Sequence, residues 1–201
     1  MDTLIPNIDL SKYPWPDDST HIFQPGEPNR HVAWIPQDQN QWHRYAEGYK
    51  EAAERLFASW LALSDDCLVF PLVFLYRHYA ELRIKELLLS AGRFLDLSIE
   101  WKRNHEIEAL WQILSPILQR IFQNEPERDL QNAERLVLEL ATLDASSFEF
   151  RYPETQVGKR YLEELERLDV VNFFDAMQRI SSFLDGSSMA LSVFIENKQH
   201  L

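Results

Sequence analysis

The chain has 201 residues, and its 32 Asp and Glu against 20 Lys and Arg leave a net charge of −12. That balance argues against a free-standing nucleic-acid binder, because phosphate contacts need clustered cations. A hydrophobic share of 45% with six Trp and twelve Phe suits one globular domain with a sizeable core rather than a disordered chain.

Cys67 stands alone, which excludes an internal disulfide and a cysteine-rich metal site. The most apolar run, residues 67–76, is too short to span a bilayer and leads directly into Arg77 and His78. Asp2, Pro6 and Asp9 stand where a secretion signal carries its basic start and apolar stretch. No membrane contact and a cytoplasmic location are the expectation.

Six of the ten prolines precede residue 37, so residues 1–36 read as an irregular arm. Tyr13, Trp15, Phe23, Trp34 and Ile35 give that arm apolar surface suited to lying on the body or on a partner subunit. Residues 37–201 then read as a single domain. A first helix is expected from Asp38 or Asn40 to Ser64, with Trp42, Tyr45, Tyr49, Ala53, Leu56, Phe57, Trp60 and Leu61 as one apolar stripe. Asp65 and Asp66 break the chain, and Pro71 to Gly92 forms a central helix that Gly92 closes in the left-handed conformation. Helices joined so tightly should lie antiparallel.

A third helix begins with Asn104 as N-cap, and the Ser115-Pro116 pair predicts a kink or restart within it. A fourth runs from about Arg128 to Leu143, a short helical piece from Tyr161 to Leu168, and a last helix from Asp169 past Gly186. The fold class is all-α: an antiparallel bundle of about five main helices with an irregular N-terminal arm.

The central helix carries a polar stripe where a plain packing helix carries leucine. Arg77, His78, Glu81 and Lys85 lie three or four positions apart, and polar groups beside a core need partners. His105 at the start of the third helix, and Arg151 and Tyr152 in the later loop, can supply them. On one reading these seven residues form a structural knot in which Glu81 bridges Arg77 and Lys85, His105 caps the helix or bonds a carbonyl, and Arg151 pins its loop to a carboxylate. On the other, His105 and Glu81 are the catalytic candidates, with Lys85 and Arg151 holding a phosphate. Between Arg77 and His105, six Lys or Arg stand against four Asp or Glu, a local balance of +2, which fits either a basic groove or paired surface charges. No phosphate-binding glycine loop, nucleophile elbow or metal-ligand spacing occurs. No cofactor and no metal are expected, and an enzymatic role rests only on a site assembled in space.

Taken in order, the segments ELRIKELLLSAG, NHEIEALW and FRYPE resemble the HEPN domain superfamily of small helical bacterial and archaeal proteins. The resemblance runs from about Phe70 to Glu154. In that family a Glu-x-x-x-Lys helix, a His-polar-Leu helix start and an Arg-Tyr-Pro loop recur in this order. Its ribonucleases are marked by an Arg four to six residues before a His, and no histidine of this chain (21, 31, 43, 78, 105, 200) has an arginine so placed. The resemblance therefore implies a non-catalytic module in an RNA-, nucleotide- or defence-associated system such as toxin–antitoxin. It implies a homodimer or a protein partner such as a nucleotidyltransferase or nuclease. A divergent ribonuclease or nucleotide-handling enzyme built on His105, Lys85 and Arg151 is the alternative.

Overall fold

The computed structural model describes residues 14–22, 32–35, 37, 41–102 and 105–200. The chain divides into two units, Met1–Pro36 and Gln37–Leu201. In the first, Asp17 organises a turn: its carboxylate accepts from the Ser19 amide at 2.8 Å, the Ser19 hydroxyl at 2.6 Å and the Thr20 hydroxyl at 3.0 Å. Trp15 and Trp34 are 62% and 79% exposed. Tyr13 and Phe23 of the arm, the helix start expected at Asp38 or Asn40, and the Asn104 cap lie outside the described residues.

The second unit holds five α-helices: α1 (Gln41–Leu63), α2 (Val69–Leu95), α3 (Ile107–Ile121), α4 (Glu127–Leu143) and α5 (Val170–Gln199). The described residues contain no β-sheet, only one isolated antiparallel bridge between Glu154 and Arg160. No described helix is long and apolar enough to cross a membrane.

Helix α1 buries Ala46 and Ala53 fully and keeps Tyr49, Leu56, Phe57 and Trp60 against the core, while Trp42, Tyr45 and Leu61 of its apolar stripe stay exposed. It ends at left-handed Ser64 (φ 52°). Asp65 then caps the short 3-10 turn Asp66–Leu68 by accepting from the Cys67 amide at 3.0 Å. Helix α2 is the axis of the bundle, packed against α1, α3 and α5 and apolar on several sides, with Leu72, Val73, Tyr76, Ala80, Ile84, Leu87 and Leu88 all inaccessible.

Its end departs from expectation. Gly92 lies inside α2, and the left-handed residue is Asp96 (φ 56°), whose amide bonds the Gly92 carbonyl together with that of Leu97 at 2.9 Å. Gly92 is needed for closeness: a Cβ there meets the Leu97 carbonyl oxygen at 2.8 Å.

Two further expectations are corrected. Helix α3 starts at Ile107 and passes through Pro116 without a restart, since Pro116 and Gln112 are both solvent-facing and the carbonyl released by the missing N–H can be hydrated. Residues 161–168 form turns rather than a helix, with Leu162 at φ 57°; Leu162, Leu165 and Leu168 pack on the core as isolated anchors. Helix α5 starts where expected, its Asp169 cap accepting from the Asn172 amide at 2.9 Å.

Cross-contacts give the helix directions. Tyr49 meets His78 while Glu47 pairs Arg83, so α1 and α2 are antiparallel as their tight connection predicts. Tyr76 meets Phe173, Glu86 meets Ser188 and Phe94 meets Phe194, so α5 runs in the same sense as α2. Trp111 on Phe183 and Phe122 on Phe194 give α3 that sense too. The stretch after α2 must therefore travel back along it. From Glu81 to the end of α2 is ~21 Å, and the residues from 96 to His105 can span ~33 Å when extended. This return places His105 beside the middle of α2.

Candidate functional site

Glu81 is the centre of the predicted cluster. It lies mid-helix with its side chain 1% exposed. Arg77 Nη1 donates to its Oε2, while Lys85 Nζ donates to Oε1 at 2.6 Å and His105 Nδ1 meets the same oxygen at 2.9 Å. Burial alone raises a carboxyl pKa, but hydrogen bonding to Lys85, the Lys85 and Arg77 charges and the His105 bond outweigh it and hold Glu81 below its ordinary value. The bridge between Arg77 and Lys85 is as the spacing predicts. His105 differs in detail: its ring bonds a carboxylate, and it is its own backbone carbonyl that accepts, from Arg77 Nη2.

His78 is brought near but not into the bonding. Its ring sits edge-on to Tyr49 at 4.4 Å and stacked on Phe74 at 5.7 Å. Burial is the main reason its pKa falls below 6.5, with the nearby Arg77, His105 and Lys85 charges assisting against Glu81. A ring held neutral among aromatics serves packing.

Arg151 and Tyr152 lie outside the Glu81 knot. The Arg151 guanidinium stacks over Phe148 at 4.6 Å, Phe74 at 5.2 Å and Tyr152 at 5.8 Å, and its Nε donates to the Ser147 carbonyl. It pins its loop through aromatic faces and a carbonyl, not through a carboxylate. Tyr152 is half exposed against Phe148.

The carboxylate that the cluster does recruit from this loop is Asp144, which sequence reasoning missed. It is fully buried at the end of α4, with Oδ2 3.9 Å from Arg77 Nε and its carbonyl accepting from that nitrogen at 3.3 Å. Its Oδ1 accepts the Glu149 amide at 3.3 Å, and Oδ2 meets no N–H or O–H donor among the described residues. Burial first, then the carboxyl contact with Glu149, pushes Asp144 up to about 7. Glu149, despite its own burial, is pulled down by that contact and by amides including those of Ser146 and Phe148. The signal was an Asp closing a helix with a Glu five positions on, too common a pattern to single out.

A second polar network was also missed. Arg83, 1% exposed, donates to Glu47 and Glu86, lies 2.9 Å from Asp185 Oδ1 through Nε, and meets His43 Nδ1 at 2.9 Å. Tyr79 and Lys50 bind the two Asp185 oxygens at 2.7 Å each. Arg77, Arg83 and Lys85, half of the six cations that gave the local positive balance, are thus tied to buried or half-buried carboxylates. Those three are not available to a basic groove. The available hint was an arginine between Leu82 and Ile84 in a helix apolar on several sides.

No group of three or more potential metal-ligating side chains occurs among the described residues. Among the described residues two histidines face carboxylates, His43 Nδ1 at 3.9 Å from Glu86 and, closer, His105 Nδ1 at 2.9 Å from Glu81, which leaves Nε2 uncommitted on a side chain 55% exposed. No protein-family model, curated protein or solved structure matches the chain.

Proposed function

We propose that residues 37–201 are a non-catalytic HEPN-like helical module that dimerises or docks on a partner in an RNA-, nucleotide- or defence-associated bacterial system. A nucleotidyltransferase or nuclease is the kind of partner this reading favours, with a cytoplasmic location. The observation that carries the non-catalytic part is the saturation of Glu81: three side chains bind one inaccessible carboxylate, and the two cations that could grip a phosphate are both used in doing so. Arg151, the third cation of a phosphate site, stacks on aromatics instead. Exposed Trp42, Tyr45 and Leu61 on α1 add apolar surface suited to a partner.

A second reading rests on the Glu81–His105 pair, whose outward Nε2 has the form of an oriented acid–base group. A labelled RNA pool incubated with the wild-type protein and with His105→Ala separates the two. The non-catalytic reading predicts no cleavage by either protein, and cleavage by wild type that a folded His105→Ala protein lacks would establish the second.

A further inference from the structure

Resting on the docking reading above, we propose that the groove between α3, α4 and α5 receives a cationic amphipathic helix from a protein partner. The groove has a volume of about 570 Å³; Phe122, Leu130, Phe183 and Phe194 line it together with the exposed Gly186. It sits on the side of α5 away from the Asp185 network, and apart from the Glu81 cluster.

Gly186 is the telling residue. A glycine inside a helix destabilises it relative to alanine, and such a residue is normally kept because a neighbour approaches too closely for a side chain. That is the case at Gly92, where a Cβ strikes a carbonyl oxygen. At Gly186 a Cβ meets nothing within 4 Å. Gly48 in α1 is equally open, but of the two only Gly186 lines this groove, where the space beside it leaves room for another backbone.

The charge of the rim selects the occupant. Glu125, Glu127 and Asp129 line the α3–α4 turn at the groove's edge, and no Lys or Arg is among its lining residues. A helix with an apolar ridge and flanking Lys or Arg matches both the wall and the rim. A second copy of this chain does not, since it brings the same carboxylate rim and a net charge of −12.

The test is fluorescence anisotropy of a labelled Leu/Lys amphipathic peptide of about four helical turns titrated with the full chain, beside a Leu/Glu peptide of the same pattern. The Leu/Lys peptide should bind, more weakly as salt rises, and the Leu/Glu peptide should not. Gly186→Leu should weaken binding by about tenfold or more with a melting temperature no lower than wild type, and Gly186→Ala should melt ~2–4 °C higher. Glu125→Lys with Asp129→Lys should lose the salt-sensitive part of the affinity.

Equal binding by wild type and Gly186→Leu overturns the proposal. So does a lower melting temperature in Gly186→Leu, which would mean that residues of the chain itself fill the groove. A dimer that Gly186→Leu turns into a monomer would make a second copy the occupant, and overturns it too. RNA cleavage by the wild type sinks the non-catalytic reading without touching the peptide result, so the two failures are distinguishable.

Discussion

At the scale of single residues, Arg77 ties the Glu81 cluster together. It reaches Glu81, the His105 carbonyl and the Asp144 carbonyl from a fully buried position. Arg77→Ala leaves the buried Glu81 carboxylate with Lys85 as its remaining cation and strips a donor from the His105 and Asp144 carbonyls, and should cost about 3–5 kcal/mol in urea denaturation. Arg151→Ala loses one carbonyl bond and stacking on a partly exposed loop, and should cost only about 1 kcal/mol; a larger loss than that of Arg77→Ala would contradict the assignment of roles. Asp144 makes a pH prediction. Because burial raises its pKa from 3.8 to about 7, the folded protein keeps a proton that the unfolded chain releases between those values. Its contribution is fully present below about pH 4 and is lost as pH rises through about 7. His78, lowered from 6.5 by burial, works in the opposite sense, its contribution being present above that value and lost as pH falls. Asp144→Asn should therefore remove a decline in melting temperature between pH 5 and 7 that wild type shows against the His78 trend; superimposable pH profiles would refute a protonated Asp144. Helical spacing made the Arg77–Glu81–Lys85 ladder legible in the sequence. Asp144 was not legible, because the Arg77 that it faces lies 67 positions away, a separation that only the tertiary fold closes.

At the scale of elements, existence was easier to read than termination. The period of apolar residues is a property of each helix, and all five main helices follow it; helix ends depend on what lies beside them. Gly92 looked like a stop because glycine tolerates the left-handed conformation, yet Asp96 adopts it and Gly92 instead admits the Leu97 carbonyl. Gly92→Ala should accordingly cost about 1–3 kcal/mol through the 2.8 Å clash, despite alanine's better helix propensity. A stabilised Gly92→Ala protein in thermal melts would show that the close approach does not constrain α2. Pro116 misled in the same way, as a local signal overruled by a solvent-facing position, and residues 161–168 have helical-looking leucines that serve as separate anchors for a chain of turns.

At the scale of the whole molecule, two ion networks interleave along the same stretch of α2, one from Arg77 to Lys85 and one from Tyr79 to Glu86. The Glu81 knot ties it to the return before α3 and to the end of α4, and the Arg83 network ties it to α1 and α5. The bundle's directions follow from that return, which the sequence marked only as a connection of about a dozen residues. For assembly, the dimer reading predicts twice the chain mass by light scattering at micromolar concentration, and a monomer without any partner would count against it. On the proposed reading the Glu81 cluster holds the fold together rather than performing chemistry. Urea denaturation of Glu81→Gln beside His105→Ala tests it most directly. Removing the Glu81 charge strands Arg77 and Lys85 and should cost about 3–5 kcal/mol, whereas losing the half-exposed His105 ring should cost about 1 kcal/mol. A Glu81→Gln protein as stable as wild type, with an RNA-cleaving activity that the substitution abolishes, would contradict it.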